Sequence, residues 1–427
     1  MTNCAIWFRR DLRLDDNTAL NEALRSGANI LPVFIFDKNI LDGLEKNDHR
    51  VTFIHQQLFN INEKIKNHGS ELYVGYGNPE DVWKEIIQKF DIKSIYTNRD
   101  YEPYAIQRDE KIKTYIRSIG GNLIDFKDHV IMEPGEVLKD NGEPYTIYTP
   151  FKRKWLFHFN GVKVDRMDLG ENWVKHSHTF PELKAIGFEQ STITIPDFTL
   201  EEIESYEKTR DIPALDSTSH IGPHLRFGTI SIREVVQNIN SRSEVFLSEL
   251  IWREFFIHIL FHFPGVVHES FRPQYDRIKW RNNEQEFQKW CEGKTGYPMV
   301  DAGIRELNTT GHMHNRVRMV VASFLCKHLL IDWRWGEAYF AKKLNDFELA
   351  SNNGNWQWAA GTGCDAAPYF RVFNPAEQLK KFDPEMKYVK KWIPELLTGD
   401  YPLPIVDHKM ARLRAIEIYK EGINSLP

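Results

Sequence analysis

A change of rhythm constrains this chain more than any single residue does. Over the first ~130 residues, short apolar runs alternate with helix-patterned stretches, whereas from Leu200 onward only helical spacing remains. The runs Ala5–Phe8, Ile30–Asp37, Glu71–Gly75, Ser94–Asn98 and Asn122–Phe126 are mostly β-branched or aromatic, as strands buried on both faces are. Helical patterns separate them, such as Val51–Asn67 and Glu80–Phe90, the latter opened by the N-cap and first-turn pair Asn78-Pro79. Such alternation predicts a five-stranded parallel sheet with right-handed crossovers, Rossmann-like in layout. The stretch 131–198 loses the pattern and reads as a connecting segment. Beyond it, Glu244–His262, Met299–Asn308, Val317–Leu330 and Gly336–Lys343 space apolar residues by three and four. The expected organisation is an α/β domain over 1–130, a connecting segment over 131–198 and an all-helical domain over 199–427.

Composition removes several function classes. A formal charge of −5 argues against a uniformly basic nucleic-acid binder but leaves room for a local basic groove. Cys4, Cys291, Cys326 and Cys364 are scattered with no C-x-x-C pair, which argues against a thiolate zinc site or a disulfide framework and fits a reduced, cytoplasmic setting. The start, MTNCAIWFRRDLRLDD, is not a signal peptide, and the apolar run around Phe255 to Val267 is broken by His258 and His262, so no membrane partner is expected. Seven of the 12 tryptophans lie between Trp252 and Trp358. Large rings so clustered build a core or stack on planar ligands.

Several motifs fail on inspection. Gly75-Tyr76-Gly77 sits between a strand and a helix, but Glu80 stands where a dinucleotide fingerprint needs its third glycine, so a tight strand-to-helix turn is the reading. Gly361-Thr362-Gly363 with Ala366 follows no strand, and Gly293-Lys294-Thr295 lacks the first glycine of a phosphate loop because Gln288 stands there. Glu254, His258 and His262 share a helical face at a spacing that permits metal binding, but no further ligand cluster accompanies them, so no metal is expected.

Three segments hold. Glu249, Trp252 and Arg253 fall on one helix face and offer a hydrogen-bond acceptor, a flat ring and a cation to a polar, planar ligand. In His314-Asn315-Arg316-Val317-Arg318-Met319, a helix start sets Asn315, Arg318 and Met319 on nearly one side; an amide there can address a base edge and a guanidinium a phosphate. The run from Asp346 to Trp358 packs two acids, several amides and two tryptophans into thirteen residues. Burying such groups unsatisfied costs ~1–3 kcal/mol each, so a polar cofactor pocket is the more economical explanation.

These segments resemble the DNA photolyase/cryptochrome flavoprotein family, and the chain is most similar to the bacterial class I cyclobutane pyrimidine dimer photolyases. The likeness opens with Trp7-Phe8-Arg9-Arg10-Asp11-Leu12-Arg13 and continues through Thr218-Ser219-His220-Ile221-Gly222-Pro223-His224-Leu225-Arg226-Phe227-Gly228. It is strongest from Trp290 to Pro375, including Glu292-Gly293-Lys294-Thr295-Gly296-Tyr297-Pro298. It implies an α/β domain followed by an all-α domain that buries FAD. By this resemblance Tyr206 and the loop Thr218, Ser219, His220, Ile221 and Gly222 bind the FAD phosphates and ribityl chain, with Ile221 and Gly222 replacing the Leu and second Ser common there. Arg253, Phe347 and Glu348 join the cofactor set, Glu348 standing where Asp is usual; Arg318 and Asp346 match an ion pair beside the isoalloxazine, and Asn352 the residue facing flavin N5. Trp356, Trp333 and Trp280 match an electron relay to the surface. Trp252 and Trp358 match rings that sandwich a flipped-out dimer, with Glu249, Asn315, Arg316, Met319 and Arg210 as substrate and DNA contacts.

The activity implied is light-driven repair of cyclobutane pyrimidine dimers in UV-damaged DNA by electron transfer from reduced FAD, in a monomer. Asn315 with Met319 favours this lesion over the (6-4) photoproduct, whose repairers carry histidines in that segment. A signalling cryptochrome without repair is the alternative of a different class, and a generic nucleic-acid-binding helical module is the reading that ignores the family. An antenna chromophore is left open among folate, deazaflavin, FMN and none, with Tyr104 and Ala105 replacing the Asn-Glu pair of folate-binding relatives.

Overall fold

The computed structural model describes residues 2–239 and 242–425. Its five strands are β1 (Asn3–Phe8), β2 (Asn29–Asp37), β3 (Tyr73–Gly77), β4 (Ile92–Asn98) and β5 (Asn122–Phe126), all parallel in the order β3-β2-β1-β4-β5. The fold class expected from the sequence is thus the observed one. Helices α1 (Thr18–Arg25), α2 (His49–Lys66), α3 (Pro79–Phe90) and α4 (Pro103–Ser118) form the crossovers. Because side chains alternate along a strand, Cys4, Ile6 and Phe8 of β1 enter a core with α1 and α2 residues, while Ala5 and Trp7 enter a second core with Val82, Trp83, Ile112 and Ile116 of α3 and α4. Gly75 is explained by packing: a Cβ there would lie 2.6 Å from Val82 Cγ1, so the glycine lets α3 close on β3.

The N-terminal signature is structural. Arg9 pairs with Asp109 and the Asn98 carbonyl, Arg10 with Asp100 and Glu102 (3.1 Å each), and the Asp11 carboxylate accepts from the Asn98 amide at 2.6 Å. Arg13 and Arg233 both hold Asp128, at 2.6 and 2.8 Å. Burial opposes ionisation of Asp128, but the two guanidiniums outweigh it and keep its carboxyl well below the usual carboxylate range.

The chain forms two compact units that interleave in sequence. The first comprises Met1–Glu136, Phe159–Phe198 and His220–Ser241; the second comprises Val137–His158, Thr199–Ser219 and Arg242–Pro427. The stretch 131–198 is therefore shared out between the units, and residues 220–241 group with the sheet instead of with the helices that follow them.

The second unit is helical: α5 (Tyr148–His158), α6 (Glu244–His262), α7 (Pro298–Thr310), α8 (Asn315–Ser323), α9 (Trp333–Lys343), α10 (Leu349–Ala360) and α11 (His408–Asn424) among shorter elements. The expected helix Val317–Leu330 is split. After α8 the backbone widens into a π-helical turn, Phe324–His328, and Leu330 takes a positive φ of 52°. That turn points Lys327 inward. The side chain is 1% exposed, donates to the carbonyls of Ala360 (2.7 Å) and Tyr369 (3.3 Å), and lies 3.7 Å from the Tyr419 ring centroid. It thus closes the C-terminal end of α10, and burial lowers its pKa to about 7. Among the described residues no helix is long and apolar enough to cross a membrane.

Candidate active site

His314 opens α8 as its N-cap, and its Nδ1 accepts the Arg316 backbone N–H at 3.2 Å. Only an unprotonated Nδ1 can do this, and burial lowers the His314 pKa to about 4. The helix then sends Asn315, Arg318, Met319 and Ala322 to one side, at the spacing of a helical face. With Phe340 of α9 and Asn352, Asn355, Trp356, Trp358 and Ala359 of α10 they line a cavity of about 60 Å³. Residues expected beside the flavin (Arg318, Asn352, Trp356) and residues expected on the substrate (Asn315, Met319, Trp358) thus share one cavity.

Its electrostatics are set by pairs. Arg318 holds Asp346 through both terminal nitrogens at 3.2 and 2.9 Å, and its Nε donates to the Met313 carbonyl at 2.7 Å. Asn352 is buried, and its Nδ2 donates to the Glu337 carboxyl (2.7 Å) and backbone carbonyl (3.1 Å). Burial raises the Glu337 pKa, against the pull of that hydrogen bond. Glu348 accepts from Arg253 at 2.9 Å and from the Ser351 hydroxyl at 3.1 Å, so this glutamate bridges α6 and the start of α10. Arg210 donates to Glu249 at 2.6 Å, and Arg316 donates to Asp211 at 2.8 Å while covering the Phe382 ring at 4.4 Å. Trp252 stacks on Tyr148, centroids 3.6 Å apart and planes 8° apart. Phe347 packs at the edge of the main helical core.

The three relay candidates differ in exposure. Trp356 and Trp333 are 2% and 1% exposed, each with an indole N–H that has no partner among the described residues; Trp280 is part-exposed and meets Tyr419 edge-on at 5.6 Å. Trp356 packs onto α9 at Gly336, where a Cβ would come within 2.1 Å of the indole, one helical turn from Trp333. Trp290, a core residue, has its ring 6.2 Å from that of Trp356.

Tyr206, Thr218 and Ser219 line a second cavity of about 130 Å³ in this unit, with Thr199, Glu201, Glu202, Ile203, Asp216 and Ser217. His220, Ile221 and Gly222 belong to the first unit, where they open the short helix Ile221–Phe227. Sequence reasoning missed Glu337, Lys327 and Tyr148. No spacing rule connects them to their partners; an acid or a lysine inside an apolar helical pattern signals Glu337 and Lys327, and nothing signals Tyr148.

The donor set of the helical unit suits FAD. Hydroxyls of Ser217, Thr218 and Ser219, that of Ser217 buried and without a partner among the described residues, stand beside carboxylates that suit sugar hydroxyls, while a guanidinium, an amide and indole rings suit the polar edge and flat face of a flavin. Comparison with known proteins agrees. Residues 246–399 match the FAD binding domain of DNA photolyase, and residues 4–169 match the DNA photolyase family. An α/β unit followed by a helical FAD-binding unit defines the class. The chain belongs to the DNA photolyase/cryptochrome family: it is 35% identical to the deoxyribodipyrimidine photo-lyase of Vibrio cholerae over 97% of this chain and 98% of that protein. The class III photolyase of Agrobacterium tumefaciens superposes with a TM-score of 0.91 at 34% identity, over 100% of this chain and 98% of that one. An archaeal photolyase from Sulfolobus tokodaii, solved with two FAD molecules, superposes with a TM-score of 0.86 at 36% identity, over 98% of this chain and 100% of that one.

Proposed function

We propose that this protein repairs cyclobutane pyrimidine dimers in UV-damaged DNA with light, as a monomer in a reducing, cytoplasmic setting, and that it is of class I. The observation that carries the repair reading is the single cavity in which Arg318, Asn352 and Trp356 meet Asn315, Met319 and Trp358. The class I assignment rests on the sequence resemblance alone, and class III, the class of the Agrobacterium tumefaciens photolyase that superposes with a TM-score of 0.91, is the alternative. The four cysteines are unpaired, which suits reducing surroundings.

The chemistry supplied by bound reduced FAD is the light-driven transfer of one electron to the dimer and its return once the ring has opened. The protein holds and orients. Tyr206, Thr218 and Ser219 of the helical unit would take the phosphate and ribityl part; His220, Ile221 and Gly222 follow them directly in sequence. Arg318 with Asp346, Arg253 with Glu348, and Phe347 would hold the ring system, and the Asn352 amide would add a hydrogen-bonding group beside it without adding charge. Trp252 and Trp358 take the flipped dimer between them. Flipping costs a few kcal/mol and is cheapest for a poorly stacked, damaged pair. Glu249 and Asn315 hydrogen-bond the dimer, Met319 packs on it, and Arg210 and Arg316 fix register on the phosphates without reading sequence. Trp356, Trp333 and Trp280 carry electrons inward when the cofactor must be reduced.

The first unit is assigned the antenna role, its chromophore to be identified by extraction from folate, deazaflavin, FMN and, after the archaeal relative, FAD. Illuminating reduced protein with dimer-containing DNA and counting the dimers that remain tests the function. A light-dependent fall is expected, and an unchanged count refutes repair in favour of a signalling role.

A further inference from the structure

We propose that Tyr148 is a positioning residue for lesion recognition: it backs one face of Trp252 and fixes the plane on which the flipped base stacks. The proposal rests on the assignment of Trp252 to the substrate made above.

The stacked pair is closer and flatter than any other ring pair around Trp252. Phe255 meets that indole edge-on at 5.5 Å and Phe256 lies tilted by 30° at 5.5 Å, whereas Tyr148 lies parallel at 3.6 Å. Tyr148 is itself anchored at three points. Its hydroxyl meets the carbonyl and the hydroxyl of Ser248 at 2.7 Å each, one helical turn before Trp252 on α6. Its backbone N–H donates to the Asp365 carboxylate at 3.0 Å, and its ring edge packs on Phe255. Lys152, one turn along α5, donates to the same Ser248 hydroxyl at 3.1 Å. The phenol therefore spans one turn of α6, with its oxygen at residue 248 and its face on residue 252. Tyr148 is buried while Trp252 stays part-exposed, so the indole has one face covered by the phenol and still reaches solvent.

Such an arrangement serves stacking of an extrahelical base. A free indole on a helix surface samples several rotamers and loses that freedom when it stacks; a ring clamped from behind has lost it already. A ligand that does not stack there gains nothing from the clamp. Tyr148 should thus matter for dimer-containing DNA and not for phosphate-driven binding of undamaged DNA.

The test uses FAD-loaded protein and two duplexes of one sequence, one with a single thymine dimer, titrated by fluorescence anisotropy at matched salt. For Tyr148→Leu the Kd for the dimer duplex is expected to rise about tenfold while that for the undamaged duplex stays within about twofold. Tyr148→Phe keeps the ring and loses only the hydroxyl tie, so it should restore most of the affinity and covers the case in which the leucine variant does not fold. At saturating dimer DNA the repair yield per absorbed photon should match wild type, placing the defect in binding and not in turnover. Equal loss on both duplexes, or no loss on the dimer duplex while Trp252→Ala loses it, overturns the proposal. If Trp252→Ala itself binds the dimer duplex normally, the substrate role of Trp252 falls and the proposal falls with it.

Discussion

The Asn352 side chain is oriented by Glu337: its amide nitrogen is committed to the Glu337 carboxyl at 2.7 Å and the Glu337 carbonyl at 3.1 Å, which leaves its carbonyl oxygen uncommitted among the described residues. An amide can present either end, and the partner behind it decides which end faces forward. Fifteen residues separate the two, so the pairing is made by the contact of α9 with α10.

Glu337→Leu should remove the shorter of the two ties on that amide and leave only the backbone carbonyl. The bound FAD of the variant is expected to reoxidise in air several-fold faster than wild type after photoreduction, followed by absorbance, since one lost hydrogen bond is worth about 1 kcal/mol. Glu337→Gln keeps an acceptor and should sit near wild type. Equal rates in wild type and the leucine variant would remove Glu337 from any role at Asn352.

Glu249 reaches a substrate only by leaving Arg210, its partner at 2.6 Å. Both side chains are part-exposed, so this pair is worth under about 1 kcal/mol and a ligand can displace it. Glu249→Ala should lower the repair yield with FAD content unchanged. Arg210→Met should weaken binding to damaged and undamaged DNA alike and cut the salt slope of log K by about one. A salt slope equal to wild type would show that Arg210 touches no phosphate.

Photoreduction separates two tryptophans. Trp333→Phe should slow photoreduction of oxidised protein and spare repair by protein already reduced. Trp290→Phe is the control, because its ring lies 6.2 Å from Trp356 inside the core and is 0% exposed. If the Trp290 variant is the slower one, the relay runs through the core tryptophan and its assignment changes.

Lys327 gives a pH dependence with a definite sign. Burial lowers its pKa to about 7, while in the unfolded chain it titrates near its usual 10.5. Between these values the unfolded chain binds more protons, so stability rises with pH by up to ~1.4 kcal/mol per unit. This contribution is fully present above the unfolded value and lost as pH falls to about 7. Lys327→Met lacks it, so the Tm of wild type relative to the variant should climb between about pH 7 and pH 10. Parallel Tm curves would show that the ammonium is not held as described.

How much of this was legible in the sequence follows from the range of the interactions concerned. Strand runs such as Asn122–Phe126 and the helix Glu244–His262 emerge at their expected bounds because side-chain periodicity is a local property. The face shared by Asn315, Arg318 and Met319 was readable for the same reason. The π turn at Phe324–His328 was not, since it arises from where Lys327 must point and its apolar spacing resembles an ordinary helix. Glu337 behind Asn352 and Tyr148 behind Trp252 join distant segments, and nothing in either segment names the other. The residues of the expected N-terminal signature were correctly singled out, yet what they do, tying loops of the sheet together, emerges only when Asp109, Asp100 and Asp128 are seen beside them.

The interleaving of the two units reaches beyond their architecture to how the chain is made and how it can be divided. A ribosome finishes all five strands by residue 126, yet the sheet's unit still awaits residues 159–198 and 220–241, so part of the helical unit is synthesised before its neighbour is complete. No single cut liberates either half: a truncation near residue 130 discards two pieces of the first unit, and a start near residue 199 discards α5, which carries Tyr148. Removing the sheet-bearing unit alone would take three separate deletions, one for each of its segments. The sheet-bearing unit is more readily altered in place, residue by residue, than removed.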